Sequence, residues 1–512
     1  MPGAPALAAA GAVVGCLLLA GAALVLCRGA FTYSFDDPYI TLTLARRMLE
    51  GTYGINPGES AAPSSSILYP FLLAPFAALN GELYAPLLLN TAAAGIVCAI
   101  FAVLVQDALP TASRGRAASL ALALCMASGV IALPLVGLEH GLHAALTAAA
   151  FLGTVRALQS GRAPAWLVPV LVCLPLIRFE GAALEVLIVA ALALRRLWTA
   201  AATATAVTAV ALLAWWLFMH ALGLPFLPSS VLVKLAQEHQ PGSGLVPAIA
   251  MRLAPEPGYR FGPVVLFKAI AIAIYPALPA LGVLKRRRPL EVETWVAILT
   301  FGALAAHMLL AGRLLRYDVY ADTLAWAAIA WLWLPHLARP FRTWAAVLLA
   351  ACAILAVDLG LVVWTLGGPA GSRAILEQQA QLRRLAVEFY RGPVAVNDLG
   401  LASYRNPYGV LDLWGLGSEE ARLARAKGQP GWMEQIVAEH GVGLAAIYTG
   451  WFGQAPGSWT LVGTMTNRHG IGFDGNDSVD VYATSPGAVP RVRTALLHLR
   501  AAAGDATLVS LK

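Results

Sequence analysis

Up to about residue 366 the chain is a succession of long apolar stretches broken by short polar connections. A helix needs about 20 apolar residues to cross a bilayer, because every backbone N–H and C=O in hydrocarbon must be satisfied within the helix; on that measure about eleven spans are expected. They lie near residues 7–28, 84–106, 117–136, 142–158, 163–177, 181–194, 199–220, 262–284, 292–311, 318–336 and 343–366, those at 163–177 and 181–194 being short for a crossing. From Gly367 to Lys512 the pattern changes, and no run is long enough to span. Strand-like runs at Val394–Val396, Val410–Leu413, Leu444–Tyr448, Trp459–Val462 and Val479–Tyr482 alternate with helical ones at Glu419–Lys427, Met433–His440 and Arg491–Ala502. The expected architecture is a polytopic α-helical membrane domain over 1–366 and a C-terminal soluble α/β domain over 367–512, with no internal repeat.

Composition agrees with that pattern. Of 512 residues 59% are hydrophobic and only 12% charged, and the mean hydropathy is +0.70, outside the range of soluble domains. A net charge of +7 and a pI near 9.2 do not point to nucleic acid, because the basic residues are scattered between apolar runs. Their placement reads instead as topology. Arg114 and Arg116, Arg156 and Arg162, Arg195 and Arg196, Lys285 to Arg288, and Arg339 and Arg342 occupy every second connection, and cationic loops resist translocation. Those loops and the amino terminus are expected in the cytoplasm. The loop from Phe31 to Leu83, the turn at Gly137–His140, the link Arg178–Glu180, the stretch 221–260, the turn at Arg313–Arg316 and the C-terminal domain then face outward. Met1 to Cys27 lacks the basic start of a cleaved signal, so an uncleaved first span is expected. The six cysteines (Cys16, Cys27, Cys98, Cys125, Cys173 and Cys352) fall in apolar runs without metal-ligand spacing, which predicts neither a structural disulfide nor a zinc site.

Candidate chemistry concentrates on the outward side. Directly after the first span stand Asp36 and Asp37, followed by Pro38 and a short helical segment ending at Gly51. Asp as N-cap with Pro at the first helical position explains Asp37 structurally. Ile40, Leu44 and Met48 form one stripe of this helix and Thr43, Arg46, Arg47 and Glu50 a neighbouring one, as in a helix lying along the interface. Asp36 has no such explanation, and a carboxylate there suits a general base on an acceptor hydroxyl or a ligand for a divalent cation, Mg²⁺ or Mn²⁺. Tyr53–Glu59 and Pro63–Ser66 are turn chemistry, and the apolar Ile67–Leu79 is too short to span.

Charges at a membrane edge are functional candidates, because leaving them near hydrocarbon costs about 2.5–3.5 kcal/mol. Glu139 and His140 sit at one outward turn, where Glu139 and His143 also have metal-pair spacing; the plain alternative is a hydrogen-bonded helix cap. Arg178 and Glu180 break an apolar hairpin and suit either a structural ion pair or substrate contact. Lys234 opens the stretch after Pro228, and Arg313 and Arg316 precede Tyr317 at the top of a late span. Each of these could be a snorkelling interface residue. Together, Lys234, Arg313 and Arg316 lie at the depth of a lipid phosphate, whose oxygens suit the donors of Arg and Lys. In the C-terminal domain Asp398 and Asp412 are acceptor-contact candidates, though Asn-Asp-x-Gly is also ordinary turn chemistry.

The sequence Phe35-Asp36-Asp37-x-Tyr39-Ile40, then Ala45-Arg46, Gly51, Asn56-Pro57-Gly58-Glu59 and a Ser-rich turn, resembles the first outer loop of GT-C glycosyltransferases. It is most like that of the actinobacterial cell-wall arabinofuranosyltransferases, which use a decaprenyl-phosphate sugar. Where that family continues with a Gly-Tyr-Thr-Ser-type sequence, this chain has Ala61 to Ser66. Pro228-Ser229-Ser230 to Lys234 resembles the family's Pro-Asn-Thr-x-x-x-Lys stretch, and Arg316-Tyr317 its Arg-Tyr at the start of a late span. The resemblance implies a catalytic Asp36 and Asp37; together with the outward placement of the charges, it makes Lys234, Arg313 and Arg316 the expected donor-phosphate site and Tyr39, Glu139, His140, Arg178, Glu180 and Tyr317 the expected substrate pocket. It also implies transfer of a sugar, such as arabinofuranose, from a polyprenyl-phosphate donor to a glycan or glycolipid outside a bacterial inner membrane, with the C-terminal domain periplasmic. A transporter or flippase of lipid-linked saccharides is the rival reading; such proteins favour inverted repeats and mid-span charges, and neither is evident here.

Overall fold

The computed structural model describes residues 2–238, 268–277, 290–310, 315–337, 359–469, 477–504 and 507–512. Among them five helices are long and apolar enough to cross a membrane: Ala4–Leu26, Glu82–Ala108, His140–Ser160, Trp198–Ala221 and Val292–Leu309. A sixth is the pair Arg114–Ala127 and Val130–Val136, bent by 74°. The apolar run at 117–136, expected as one straight span, is thus broken at Ser128–Gly129. Gly129 adopts a φ of +74° that a side chain would resist, and the Leu361 side chain packs against it. Leu167–Ile177 and Gly181–Leu194 are shorter apolar helices hinged at the charged link between them. Most of the expected span at 262–284, and of that at 343–366, lies outside the described residues.

Packing follows side-chain size. In helix Ala4–Leu26 the buried stripe is Ala4, Ala8, Ala12, Cys16, Ala20 and Ala23, whereas Leu17, Leu18 and Val25 point outward. Lipid is as apolar as leucine, so close approach of small residues, not burial of large ones, drives association there. This stripe meets helix Ala85–Ala108.

Helix Asp37–Leu49 differs from the expected interfacial helix. Every residue from Pro38 to Ala45 is buried, including Thr41 and Thr43, because the helix is packed between Tyr69–Ala78 and the short helix Gly400–Ser403 of the C-terminal domain. Its first residue is Asp37, so Asp36, not Asp37, occupies the N-cap position, and it does so without a side-chain cap bond.

Helix Leu359–Glu377 runs across the expected 366/367 boundary. Beyond it lies a six-stranded sheet of order β2-β1-β3-β5-β4-β6, comprising β1 (Val394–Val396), β2 (Val410–Asp412), β3 (Leu444–Ile447), β4 (Thr460–Thr466), β5 (Ser478–Ala483) and β6 (Leu508–Leu511). The pairs β1–β2 and β1–β3 are parallel, the others antiparallel. β1 and β3 are buried at every position, as strands covered on both faces must be. Helix Val489–Ala503 covers one face, and Glu419–Lys427 with Trp432–Glu439 the other.

A fully buried carboxylate ties this domain to the first loop. Glu82 Oε1 accepts from Arg46 at 2.9 Å, Arg405 at 2.7 Å and the Tyr404 hydroxyl at 2.9 Å. The two arginines come from opposite sides of the junction.

Candidate active site

Between the helical body and the sheet domain is a cavity of about 510 Å³, within the range of small-molecule sites. Its walls come from segments far apart in sequence. The first loop gives Asp37 and Thr41, the Ser-rich turn Ser64 and Ser65, the helical body Glu139, His140, Arg178, Arg316 and Tyr317, and the sheet domain Asn397, Asp398, Trp414 and Trp451.

The two acids of the first loop have different surroundings. Asp36 is buried, and its Oδ1 accepts the Leu401 N–H at 2.8 Å. Gly400 has no Cβ where one would sit 2.5 Å from Asp36 Cγ and nearer still to Oδ2, so this glycine lets the domain seat on the carboxyl. Burial pushes the Asp36 carboxyl up to about 7; the charge of Asp37 adds to the rise, while the Leu401 N–H and the neighbouring Asp398 oppose it. Asp37 lines the cavity with 36% of its side chain exposed, and Arg316 donates to its Oδ2.

Arg316 is held between aromatic rings, its guanidinium 4.7 Å from the Phe35 centroid and 5.4 Å from that of Tyr317. Its Nε is buried and makes no hydrogen bond among the described residues. Arg178 is committed more completely. It donates to Glu139 at 2.6 Å and, through two nitrogens, to Glu180 at 2.6 and 3.2 Å, while stacking over Tyr317 at 4.6 Å. Arg178 therefore forms the buried ion pair expected from the sequence, and it also lines the cavity.

Of the sequence-predicted residues, Asp37, Glu139, His140, Arg178, Arg316, Tyr317 and Asp398 converge on this cavity. Glu180 stands behind Arg178. Tyr39, expected in the substrate pocket, is instead buried in packing, where its hydroxyl accepts the Tyr33 N–H at 3.2 Å and its ring lies 5.6 Å from that of Tyr404. Arg313 and the side chain of Lys234 lie outside the described residues. Glu139 is engaged by Arg178, and the His143 ring stacks on Tyr320 at 4.0 Å. Among the described residues no three His, Cys, Asp or Glu side chains are grouped to hold a metal ion.

Asp412 proves to be a loop organiser. It accepts the N–H groups of Trp414, Leu416 and Gly417 at 2.9, 2.6 and 2.7 Å, and burial raises its carboxyl to about 6 against these bonds. Gly415, at φ +89°, completes the turn that presents Trp414 to the cavity. Trp451 and Asn397 were not singled out from the sequence. The available signal was a tryptophan beside glycine at two turns, Trp414-Gly415 and Gly450-Trp451.

A family description, a domain of unknown function (DUF8728), matches residues 373–482. No curated protein matches the chain. Among solved structures, ArnT from Cupriavidus metallidurans in the apo state is similar over 92% of this chain and 98% of its own, at 13% identity and a TM-score of 0.50. This chain shares the fold of that membrane protein. In this chain it consists of apolar helices followed by a C-terminal sheet domain. ArnT from the same organism bound to undecaprenyl phosphate aligns at 15% identity and TM-score 0.48 over 92% of this chain and 98% of that one. The archaeal oligosaccharyltransferase AglB from Archaeoglobus fulgidus, in complex with an inhibitory peptide and a dolichol-phosphate, aligns at 13% and 0.49 over 95% and 77%.

Proposed function

We propose that this chain is a membrane glycosyltransferase that moves a sugar from a polyprenyl-phosphate donor to a hydroxyl of a glycan or glycolipid. The observation that carries the reading is the pairing of a cavity-exposed carboxylate, Asp37, with Arg316, a buried cation that keeps an unused Nε donor. A donor phosphate brings oxygens that match the guanidinium fork better than one carboxylate oxygen does. Taking Arg316, it releases Asp37 beside the acceptor. The acceptor oxygen then bonds to the anomeric carbon as the bond from that carbon to the phosphate oxygen breaks. The hydroxyl proton passes to Asp37, and the negative charge left on the phosphate is met by Arg316.

In this scheme Asp37 is the base and Asp36 is its positioning neighbour, fixed to the sheet domain through Leu401. Lys234, on the ground of the sequence resemblance, and Arg313, on the ground of its place among the outward cations, belong to the same phosphate site, and a pentose such as arabinofuranose is the donor sugar on the ground of the resemblance. Asp37 is the cavity's candidate contact for a divalent cation. The alternation of Lys and Arg along the connections supports placing the cavity at the outer face of a bacterial inner membrane, with the sheet domain periplasmic.

The test uses purified protein with a labelled polyprenyl-phosphate sugar. Release of free polyprenyl phosphate together with labelled acceptor is expected, and Asp37→Asn should lower the rate by about 10²–10⁴-fold without loss of folded protein. Movement of intact donor across vesicles, with no release, would instead establish the flippase.

A further inference from the structure

The cavity has two chemically different halves. The helical body supplies the charged side with Asp37, Arg316 and Arg178, whereas the sheet domain supplies two tryptophans and an amide. Trp414 and Trp451 have ring centroids 4.8 Å apart at an interplanar angle of 60°, forming a corner and not a stack. Trp414 is fixed from behind. Arg425 lies 3.4 Å from its ring centroid and donates to its carbonyl at 3.0 Å, and the Asp412 turn holds its backbone. Trp451 is 36% exposed and is backed by Tyr448 at 5.3 Å. Beside this corner is Asn397. Its Oδ1 accepts the Tyr448 N–H at 3.0 Å, while its Nδ2 is buried and has no hydrogen-bond partner among the described residues.

A rigid aromatic corner exposed to a polar cavity is costly to leave wet, and a buried amide N–H without a partner keeps its desolvation cost unrecovered. A ligand that satisfies both presents an apolar C–H face and hydroxyl oxygens on one small ring. A saccharide has that chemistry, with its C–H face against the indoles and a hydroxyl accepting from Asn397. We infer that Trp414, Trp451 and Asn397 form the acceptor subsite, and that the acceptor is recognised there as a sugar ring opposite the donor phosphate site. This rests on the glycosyltransferase reading above and names the substrate class it serves. It also gives the sheet domain a specific task, namely to bring the acceptor hydroxyl toward Asp37 across the cavity.

The test measures transfer to a panel of octyl pentosides and hexosides, together with donor binding. Trp451→Ala is expected to raise the acceptor KM about tenfold, with kcat at saturating acceptor and donor Kd unchanged, whereas Trp451→Phe keeps most of the affinity. Asn397→Ala should raise KM selectively for glycosides carrying the hydroxyl it serves. Because Trp414 is part of a buried turn, the exposed Trp451 is the primary variant, with its melting temperature as the control for folding. Wild-type acceptor KM in folded Trp451→Ala overturns the subsite. Loss of donor binding in that variant also overturns it. Transfer to peptides but not to glycosides overturns the saccharide class. Absence of donor cleavage by the wild-type protein, by contrast, overturns the glycosyltransferase reading itself.

Discussion

Gly400→Ala probes the seam between the sheet domain and the first loop with a single methyl group. An alanine Cβ there would lie 2.5 Å from Asp36 Cγ, and closer still to the Asp36 carbonyl and Oδ2, where ordinary contact begins near 3.4 Å. Helix Gly400–Ser403 must therefore retreat by about 1 Å, since neither the Asp36 backbone nor its buried carboxyl has room to yield. Retreat stretches the Leu401 N–H bond to Asp36 and the contact between the Thr43 and Ser403 hydroxyls, now 2.8 and 3.1 Å. Overpacking of this kind costs about 1–3 kcal/mol. A shift of about 1 Å between reacting groups lowers a rate by about 10²-fold, so transfer should fall by that order while donor binding, whose Arg316 lies on the helical body, stays near wild type. Thermal unfolding and steady-state transfer on purified Gly400→Ala check this. Wild-type values for both would refute the claim that Asp36 seats the domain.

Three further outcomes follow from the same geometry. Asp36 has its carboxyl raised from 3.8 to about 7, so at this site the folded protein binds more protons than the unfolded chain between these values; its contribution to stability is fully present below about pH 4 and is lost as pH rises through 7. Asp36→Asn should flatten that slope in melting curves taken across the window. Arg178→Ala leaves Glu139 and Glu180 without their buried cation, which should cost about 3–5 kcal/mol and show as loss of folded protein in size-exclusion profiles. Asp412→Ala removes the acceptor of three backbone N–H groups behind Trp414; limited proteolysis should cut at the Trp414–Gly417 turn while the helical body stays intact.

Much of the fold was legible because burial leaves a direct trace in sequence. The strand-like runs at Val394–Val396 and Leu444–Tyr448 are strands at Val394–Val396 and Leu444–Ile447, buried throughout, and Glu419–Lys427 appears with those same bounds. β6 was missed because a four-residue edge strand with alternating partial exposure carries too little apolar signal. The bend at Gly129 escaped because an apolar count measures length, not direction. At the site, the pair Asp36-Asp37 was visible, but adjacency along the chain does not say which carboxylate faces a cavity. That depends on the seating of Gly400 and Leu401, 365 residues away from Asp36 in the case of the Leu401 bond. The pairing of Arg178 with Glu180 was legible at two residues' distance; its bond to Glu139 was not. Trp414 and Trp451 become neighbours only once the sheet is assembled.

Competition between Asp37 and the donor phosphate for Arg316 is most directly tested by the Kd of a polyprenyl-phosphate donor for the wild-type protein, Asp37→Asn and Arg316→Gln. Removing the competing carboxylate should tighten donor binding in Asp37→Asn by several-fold, in keeping with about 1 kcal/mol for a partly exposed pair, although transfer is lost; Arg316→Gln should weaken it. Unchanged or weaker donor binding in a folded Asp37→Asn protein, or wild-type binding in Arg316→Gln, would contradict the latch between these two residues.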